Sequence, residues 1–196
     1  MKYKLTDVKI ETMGKTLFQI ECVVSFKNIE EGEKGGYVEK ESNLSQHGDA
    51  WVHGDARVYG DARVYGDARV YGDAMVYGDA WVYGDAEVYG DAEVHGNAWV
   101  HGDARVHGNA WVYGDAEVYG DAKVYGDAKV SPINIISLKY NITILDTMIQ
   151  IGCEFHSADE WEKFTDKEIL QMDGKNALSW WKIHKDLVLG LYKANR

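Results

Sequence analysis

Three histidines, His95, His101 and His107, stand six residues apart, and such side chains serve as metal ligands and general bases. Twelve aspartates recur with the same six-residue spacing between residues 49 and 127. Carboxylates stacked in this way are the ligands that hard cations such as Ca²⁺ prefer. Both sets belong to one repeated unit, so the structure of that unit decides whether any of these groups meet.

The repeated unit is Gly-(Asp/Asn)-Ala-x-Val-(Tyr/His), with a glycine at every sixth residue from Gly48 to Gly126. Alternation across Ala-x-Val predicts a short strand in which alanine and valine point inward and x points outward. The corner that follows needs a left-handed backbone, which glycine adopts freely and Asp or Asn tolerates. This hexapeptide pattern resembles the left-handed parallel β-helix proteins, in which three hexads form one triangular coil.

Three hexads per coil place each outward residue above the one three hexads earlier. The outward residues then form three faces: Trp51, Arg69, Glu87, Arg105 and Lys123; Arg57, Met75, Glu93, Trp111 and Lys129; and Arg63, Trp81, Trp99 and Glu117. On the third face Trp81 stacks on Trp99. This pair is either an aromatic ladder that supports the sheet or an exposed patch that binds a partner or a second copy.

We take the tryptophan pair and its surroundings as the predicted binding site. Its residues are Arg63, Trp81, Trp99 and Glu117 on the third face, with Met75 and Trp111 on the second face.

The repeat separates the three histidines rather than clustering them. Successive hexads lie on different sides of the coil, on the order of 15 Å apart, so we predict no metal site and interpret the Tyr/His position as stacked corner aromatics. The aspartates are expected to accept backbone N–H groups, with calcium bridging as the alternative. Fourteen hexads run without an insertion that would enclose a base, so we predict no catalytic residues and no cofactor.

The flanking sequences predict caps that protect the open ends of the coil. Residues 1–36 are predicted to form an N-terminal β-hairpin cap, residues 37–130 the β-helix, and residues 131–196 a C-terminal cap of a strand hairpin and α-helices. The predicted fold class is therefore mainly β, a left-handed parallel β-helix with three hexads per coil and a cap at each end.

A degenerate turn precedes the first complete hexad. Val38, Ser42 and Leu44 keep the inward spacing of the repeat, and the eight-residue step from Leu44 to Val52 predicts a two-residue bulge.

The C-terminal segment carries helix signals. Ser157 and Thr165 each precede a glutamate by three residues, as in a capping box. Gly174 is expected to end a short helix, and a last helix is expected over about residues 176–193. Three tryptophans of these helices are expected to be core residues, with ligand binding as the alternative: Trp161, Trp180 and Trp181.

Charge limits the choice of partner. The 196 residues carry a net charge of −11, and residues 47–130 contribute −9 of it. An acidic surface disfavours direct binding of nucleic acid and suits a basic partner. No apolar run approaches the length of a membrane-spanning helix, so we expect a cytoplasmic protein that does not enter a membrane. Cys22 and Cys153 are both expected to be buried.

Two flanking segments, "GGYVEKESNLSQHGDAWVHGDARV" and "LKYNITILDTMIQIGCEFHSADEW", resemble segments of hexapeptide-repeat proteins from phages and prophages. The resemblance implies a small accessory protein in the host cell, in a group often labelled as acyltransferases because of the coil. We expect a non-enzymatic, acidic binding scaffold that inhibits or sequesters a host component. The alternative is a hexapeptide-repeat acyltransferase that uses acyl-CoA.

The partner is expected to be a host protein or a small molecule. An acidic rod would compete with DNA for a host enzyme, whereas a small signalling molecule would bind between subunits. Outward Trp and Met residues favour a homo-oligomer, and a trimer is the usual form of this architecture.

Overall fold

In the computed structural model of the chain, the described residues are 1–126, 129–130, 133–135 and 138–194. Asp127 and the boundary predicted at residue 131 lie outside them. Contacts divide the chain into two units, Met1–Ser131 and Pro132–Arg196. The first is a parallel β-solenoid that begins with an antiparallel hairpin, and the second is an antiparallel sheet with two helices. None of the helices among the described residues has the length and hydrophobicity that a membrane-spanning helix needs.

Each hexad contributes one short strand to the solenoid, made of the outward residue and its valine. These strands are β4 (Trp51–Val52), β5 (Arg57–Val58), β6 (Arg63–Val64), β7 (Arg69–Val70), β8 (Met75–Val76), β9 (Trp81–Val82), β10 (Glu87–Val88), β11 (Glu93–Val94), β12 (Trp99–Val100), β13 (Arg105–Val106), β14 (Trp111–Val112), β15 (Glu117–Val118), β16 (Lys123–Val124) and β17 (Lys129–Val130).

The strands pair in parallel with the strand of the next coil. Arg63 pairs with Trp81, and Trp81 pairs with Trp99, so each coil contains three hexads. The strands therefore sort into three sheets that correspond to the three predicted faces. The mainly β solenoid and its register are confirmed, and the left-handed sense of the coil stays a prediction.

Small and branched apolar side chains fill the interior of the solenoid. Every hexad alanine and valine from Ala50 to Val124 is buried, with an exposed fraction of 6% or less. Burying a valine side chain contributes about 1.5–3 kcal/mol, so the repeat gains stability with each added hexad. Backbone bonds join the coils; for example, the N–H of Arg63 donates to the carbonyl of Ala80 at 2.9 Å.

The corners require glycine for two reasons. Gly72 has a φ of 72°, which costs a residue with a side chain about 1–2 kcal/mol. A Cβ atom at this position would also lie 3.0 Å from the backbone nitrogen of Gly90 in the next coil. Glycine therefore permits both the left-handed corner and the close stacking of successive coils.

An antiparallel hairpin joins the start of the solenoid. Its strands are β1 (Tyr3–Thr12) and β2 (Lys15–Cys22), and β2 pairs with β3 (Lys34–Val38). Strand β3 in turn runs parallel to β5, so the hairpin extends one sheet of the solenoid.

The degenerate turn follows β3 as predicted. Leu44 bridges Val64, whereas Val52 pairs with Val70. Leu44 and Val64 are therefore two positions further apart in the sequence than Val52 and Val70. The bulge predicted between Leu44 and Val52 is thus confirmed.

Side chains near the N-terminus replace the N–H groups that a preceding coil would supply. Ser42 was predicted to point inward, but it is exposed, and Asn43 beside it is fully buried in the 3-10 helix Glu41–Asn43. Its Nδ2 donates to the carbonyls of Gly60 at 3.1 Å and Ala62 at 2.9 Å. The prediction that Ser42 points inward was wrong, because the spacing of the repeat does not show that two backbone carbonyls lie where Asn43 can bond them.

Lys2 also donates hydrogen bonds to carbonyls of the first coil, on the neighbouring face. Its Nζ donates to the carbonyls of Gly48 at 3.2 Å and Ala50 at 2.8 Å, and burial lowers the pKa of Lys2 to about 8. Trp51, an outward residue of the first face, is only 1% exposed because Phe26 and the hairpin cover it. The edge of the first coil is therefore protected by side chains as well as by β3.

The C-terminal unit folds around its own core. Its elements are β18 (Ile133–Ile135), β19 (Ile142–Ile144), β20 (Met148–Ile151), β21 (Glu154–Ser157), α1 (Ala158–Lys163) and α2 (Asp166–Ala194). The four strands pair consecutively in antiparallel fashion. Strand β21 was not foreseen from the sequence.

The helix signals of this unit are confirmed. Ser157 forms a capping box with Glu160, and the backbone of α2 is non-helical at Asp173 and Gly174, where a helix end was predicted. Trp161, Trp180 and Trp181 are buried with the isoleucines of the sheet, as expected.

The two cysteines differ in their exposure. Cys22 is buried as expected, but Cys153 is exposed, so the expectation for Cys153 was wrong.

Replacing one corner glycine with alanine separates backbone strain from steric contact. Gly54 has a φ of 58°, and an added Cβ would lie 3.8 Å from the carbonyl oxygen of Gly72, which is an ordinary contact distance, so Gly54→Ala should cost about 1–2 kcal/mol of unfolding free energy from strain alone. Gly72→Ala should cost more, because its Cβ also meets the backbone of Gly90. Urea unfolding of both variants measures the difference, and equal losses would contradict the close-stacking explanation.

A substitution of Asn43 tests whether its side chain stabilises the edge of the first coil. Asn43→Leu keeps the side-chain volume but leaves the carbonyls of Gly60 and Ala62 without their donor, so we expect a loss of about 1–3 kcal/mol in unfolding free energy. The control is Asn97→Leu, since Asn97 is exposed and bonds a side chain at a corner. Similar melting temperatures for the two variants would refute the capping function of Asn43.

Candidate functional site

The third face brings four predicted residues into one column, here called the tryptophan column: Arg63, Trp81, Trp99 and Glu117. Strand register places them on successive coils. The rings of Trp81 and Trp99 stack with centroids 5.4 Å apart and planes 7° from parallel. The guanidinium carbon of Arg63 lies 5.5 Å from the Trp81 ring, within the range of a cation–π interaction. Trp99 is 42% exposed.

Outward side chains of the column also contact a corner aromatic of the preceding coil. Tyr83 lies edge-on to Trp99 with a centroid distance of 6.4 Å, and the Nε2 atom of His101 is 2.8 Å from Oε1 of Glu117. The same relation recurs along the repeat in these pairs: Tyr65–Trp81, Tyr71–Glu87, Tyr77–Glu93 and His95–Trp111. Corner aromatics therefore hold the outward side chains in place. These contacts were not predicted from the sequence, although the two residues of every pair are the same number of positions apart.

The other two predicted site residues lie apart from the column. Met75 and Trp111 are on the second face, and Glu93 separates them in the strand register. Trp111 is 37% exposed and meets His95 edge-on. The structure therefore gives one column of four residues, with a second exposed tryptophan on the neighbouring sheet.

A shallow depression borders the tryptophan column near its first residue. Glu41, Gln46, Arg63, Tyr65 and Trp81 line it. The degenerate turn forms the opposite wall of the depression. The third face is therefore concave where the repeat becomes irregular and flat elsewhere.

The Tyr/His corners form three stacked columns, as predicted. His95 lies between Tyr77 and Tyr113, with ring centroids 4.7 and 5.5 Å away. His101 and His107 occupy the equivalent places in the other two columns. The three histidines therefore belong to different corners, as predicted. Burial lowers the pKa of His95 and that of His107, which favours neutral rings within the stacks.

Charged side chains cover the first face. Glu87 Oε2 lies 3.6 Å from Arg105 Nε, which is the alternation expected from the sequence. Lys27 Nζ bridges the carboxylates of Asp49 and Asp67 at 3.1 and 3.2 Å.

One corner aspartate accepts a backbone N–H as predicted, and at the other corners this stays a prediction. The Oδ1 atom of Asp67 accepts the N–H of Asp49 at 3.3 Å. Within the part of the chain that the structure describes, no group of three or more His, Cys, Asp or Glu side chains could hold a metal ion.

Comparison with known proteins supports the repeat architecture. The family model of the YdcK beta solenoid repeat matches residues 56–68 and 68–84. The matched stretches lie among the hexads that form β5 to β9, so the similarity concerns the solenoid repeat. The chain matches none of the curated proteins.

The stacked histidines make stability depend on pH. Unfolded histidine titrates near pH 6.5, whereas the pKa of His95 and of His107 is lower in the fold, so the unfolded chain binds more protons as the pH falls. Stability should therefore be complete above about pH 6.5 and fall as the pH drops through that value. Replacing both residues with Tyr, which occupies this position in other hexads, should reduce the fall.

Urea unfolding at about pH 7.5 and pH 5.5 measures this dependence. The control is His47→Asn, because His47 is exposed and outside the stacks. An undiminished fall in the double Tyr variant would show that other groups cause the pH dependence.

Proposed function

We propose that the solenoid is a non-enzymatic binding scaffold whose tryptophan column contacts the basic surface of a protein partner. The observation that carries this proposal is the exposure of Trp99. The chain covers Trp51, the outward tryptophan of the first coil, almost completely with its N-terminal hairpin. It leaves 42% of Trp99 in contact with solvent. Exposed tryptophan is a frequent centre of binding energy in protein interfaces.

The column is organised before a partner arrives. Trp81 is held by Arg63 on one side, Trp99 on the other and Tyr65 at its edge. Ordering an interface side chain costs about 0.5–1.5 kcal/mol, and a side chain already fixed in the free protein avoids most of that cost. A rigid aromatic column therefore supports tight binding with a small contact area.

Acidic corners border the column on both sides. Asp79 and Asp115 precede the face, Asp85 and Asp103 follow it, and all four are exposed. An apolar centre with a charged rim is the usual anatomy of a protein interface. The acidic rim favours a partner that has an apolar pocket surrounded by basic residues. Attraction between the opposite charges would also increase the association rate at low salt.

The flanking segments resemble those of phage and prophage proteins, which supports a host component as the partner. Binding would then inhibit or sequester that component by covering its basic surface.

Affinity capture from host lysate with matched variants tests this function. We expect proteins retained by the wild-type chain and by Arg105→Ser, a change on the first face, to be lost with Trp99→Ser. High salt should weaken the capture because it screens the acidic rim. Equal retention by wild type and Trp99→Ser would contradict the proposal.

A second copy of the chain is the alternative occupant of the tryptophan column. Light scattering distinguishes the two, because a partner-binding face predicts that Trp99→Ser leaves the molar mass unchanged. A drop in molar mass on Trp99→Ser would instead assign the column to contact between copies, in a trimer or another homo-oligomer.

A further inference from the structure

The N-terminal hairpin ends one sheet of the solenoid with a free strand edge. The eight-stranded sheet begins with β1, which pairs with β2 on one side, and no other described strand pairs with it. Gln46 occupies the start of the other side, where its Oε1 accepts the N–H of Tyr3 at 3.3 Å and its Nε2 donates to the carbonyl of Tyr3 at 3.0 Å. Beyond Tyr3, β1 is therefore an edge to which a further strand can be added.

The turn of the hairpin determines which backbone groups point to this edge. Thr12 precedes a two-residue turn of Met13 and Gly14, whose φ values of 47° and 74° match a type I′ turn. Residues that flank such a turn bond each other, so the N–H and C=O groups of Thr12 point to β2. Pairing with β2 is regular from Lys9 to Thr12. The directions therefore alternate, and the backbone groups of Glu11 and Lys9 point to the free edge.

Side chains of this stretch divide between two faces of the strand. Lys9 and Glu11 project from one face, and both are exposed. Ile10 and Thr12 lie half-buried on the other face, and the preceding Val8 is 52% exposed. Opposite charges thus stand two residues apart on one side of the edge, with partly exposed apolar groups on the other side.

We propose that β1 pairs in antiparallel fashion with β1 of a second copy of the chain, centred on Ile10. In this register Lys9 of each copy is opposite Glu11 of the other, so the backbone groups that point to the edge meet and form hydrogen bonds. Two opposite-charge pairs then lie on one face, and such pairs stabilise adjacent strands. Ile10 is opposite Ile10 of the second copy in a non-hydrogen-bonded pair, where side chains lie closest.

Other symmetric registers fit this edge less well. Centring the pair on Glu11 or on Lys9 would bring like charges together. Centring it on Val8 would align Lys9 with Asp7, but the register of β1 with β2 is irregular there. The register centred on Ile10 therefore combines a regular backbone with opposite charges.

This contact leaves the tryptophan column free. Strand β1 belongs to the sheet that contains β5 and β8, whereas Trp81 and Trp99 lie on β9 and β12 of another sheet. A pair of chains therefore carries two columns, and a partner with two matching sites would bind both with increased avidity. Contact between copies at β1 does not depend on the function proposed for the column.

Light scattering of the full chain tests the contact. At about 1 mM chain we expect a molar mass approaching twice the 22.1 kDa of one chain, a concentration chosen because a short strand pair gives weak association. Trp99→Ser should dimerise as the wild type does, which separates this contact from the column. The molar mass of a single chain at that concentration would overturn the proposal.

Charge reversal tests the register. Lys9→Glu and Glu11→Lys each turn both opposite-charge pairs into like-charge pairs, so either variant alone should dimerise at least about tenfold more weakly. An equimolar mixture of the two variants should recover wild-type dimerisation, because every pair is again opposite in charge.

Asp7→Lys is the matched control for these variants. Asp7 is exposed on the same strand, and in the proposed register it is opposite no charged residue. Melting temperatures establish that all three variants are folded. No recovery in the mixture, or equal weakening by Asp7→Lys, would contradict the register and leave the charges as ordinary protection of a free edge.

Amide hydrogen exchange follows the backbone groups themselves. When the concentration rises from about 10 µM to about 1 mM, the N–H groups of Lys9 and Glu11 should become protected. Those of Ile10 and Thr12 should be protected at both concentrations because they bond β2. Unchanged exchange at Lys9 and Glu11 in a dimeric sample would assign the contact to another surface and refute the pairing of β1.

Discussion

The solenoid depends on the close approach of corner glycines in successive coils. At Gly72 the left-handed backbone and the nearby backbone of Gly90 leave no room for a side chain. This approach brings the N–H groups of one coil within hydrogen-bond distance of the carbonyls of the next, as between Arg63 and Ala80 at 2.9 Å. The register of three hexads per coil follows from it, and so does the restriction of the interior to alanine and valine, because the coil is too narrow for larger residues.

The same constraint fixes the neighbours of every outward side chain. A residue meets its counterparts in the adjacent coils of its face and a corner aromatic of the preceding coil, as Trp99 meets Trp81 and Tyr83. Histidines of consecutive hexads therefore never converge, and their chemistry is confined to stacking between tyrosines. A surface built in this way is flat and regular. Its binding specificity therefore depends on which side chain occupies each position of a column.

Periodicity predicted the register, the bulge after Leu44 and the stacked corners, because each depends only on spacing. It failed where contacts come from outside the repeat. Asn43 is buried because two carbonyls lie beside it, and Trp51 is buried because the hairpin covers it. The tryptophans of the C-terminal helices were correctly expected in the core. Their contacts with one another and with Tyr140 depend on ring orientations that spacing does not encode.

Concave sites require residues that converge from different directions, which a strict repeat does not provide. The C-terminal unit achieves this convergence by interrupting α2. Gly174 has a φ of 61° and Asp173 is also non-helical, so the helix axis changes there and the carboxylate of Asp173 reaches the hydroxyl of Tyr140. The break that the sequence indicated as a helix end thus joins α2 to the segment that precedes β19. A continuous helix would have kept Asp173 on its own surface, and the hydroxyl of Tyr140 would lack this acceptor.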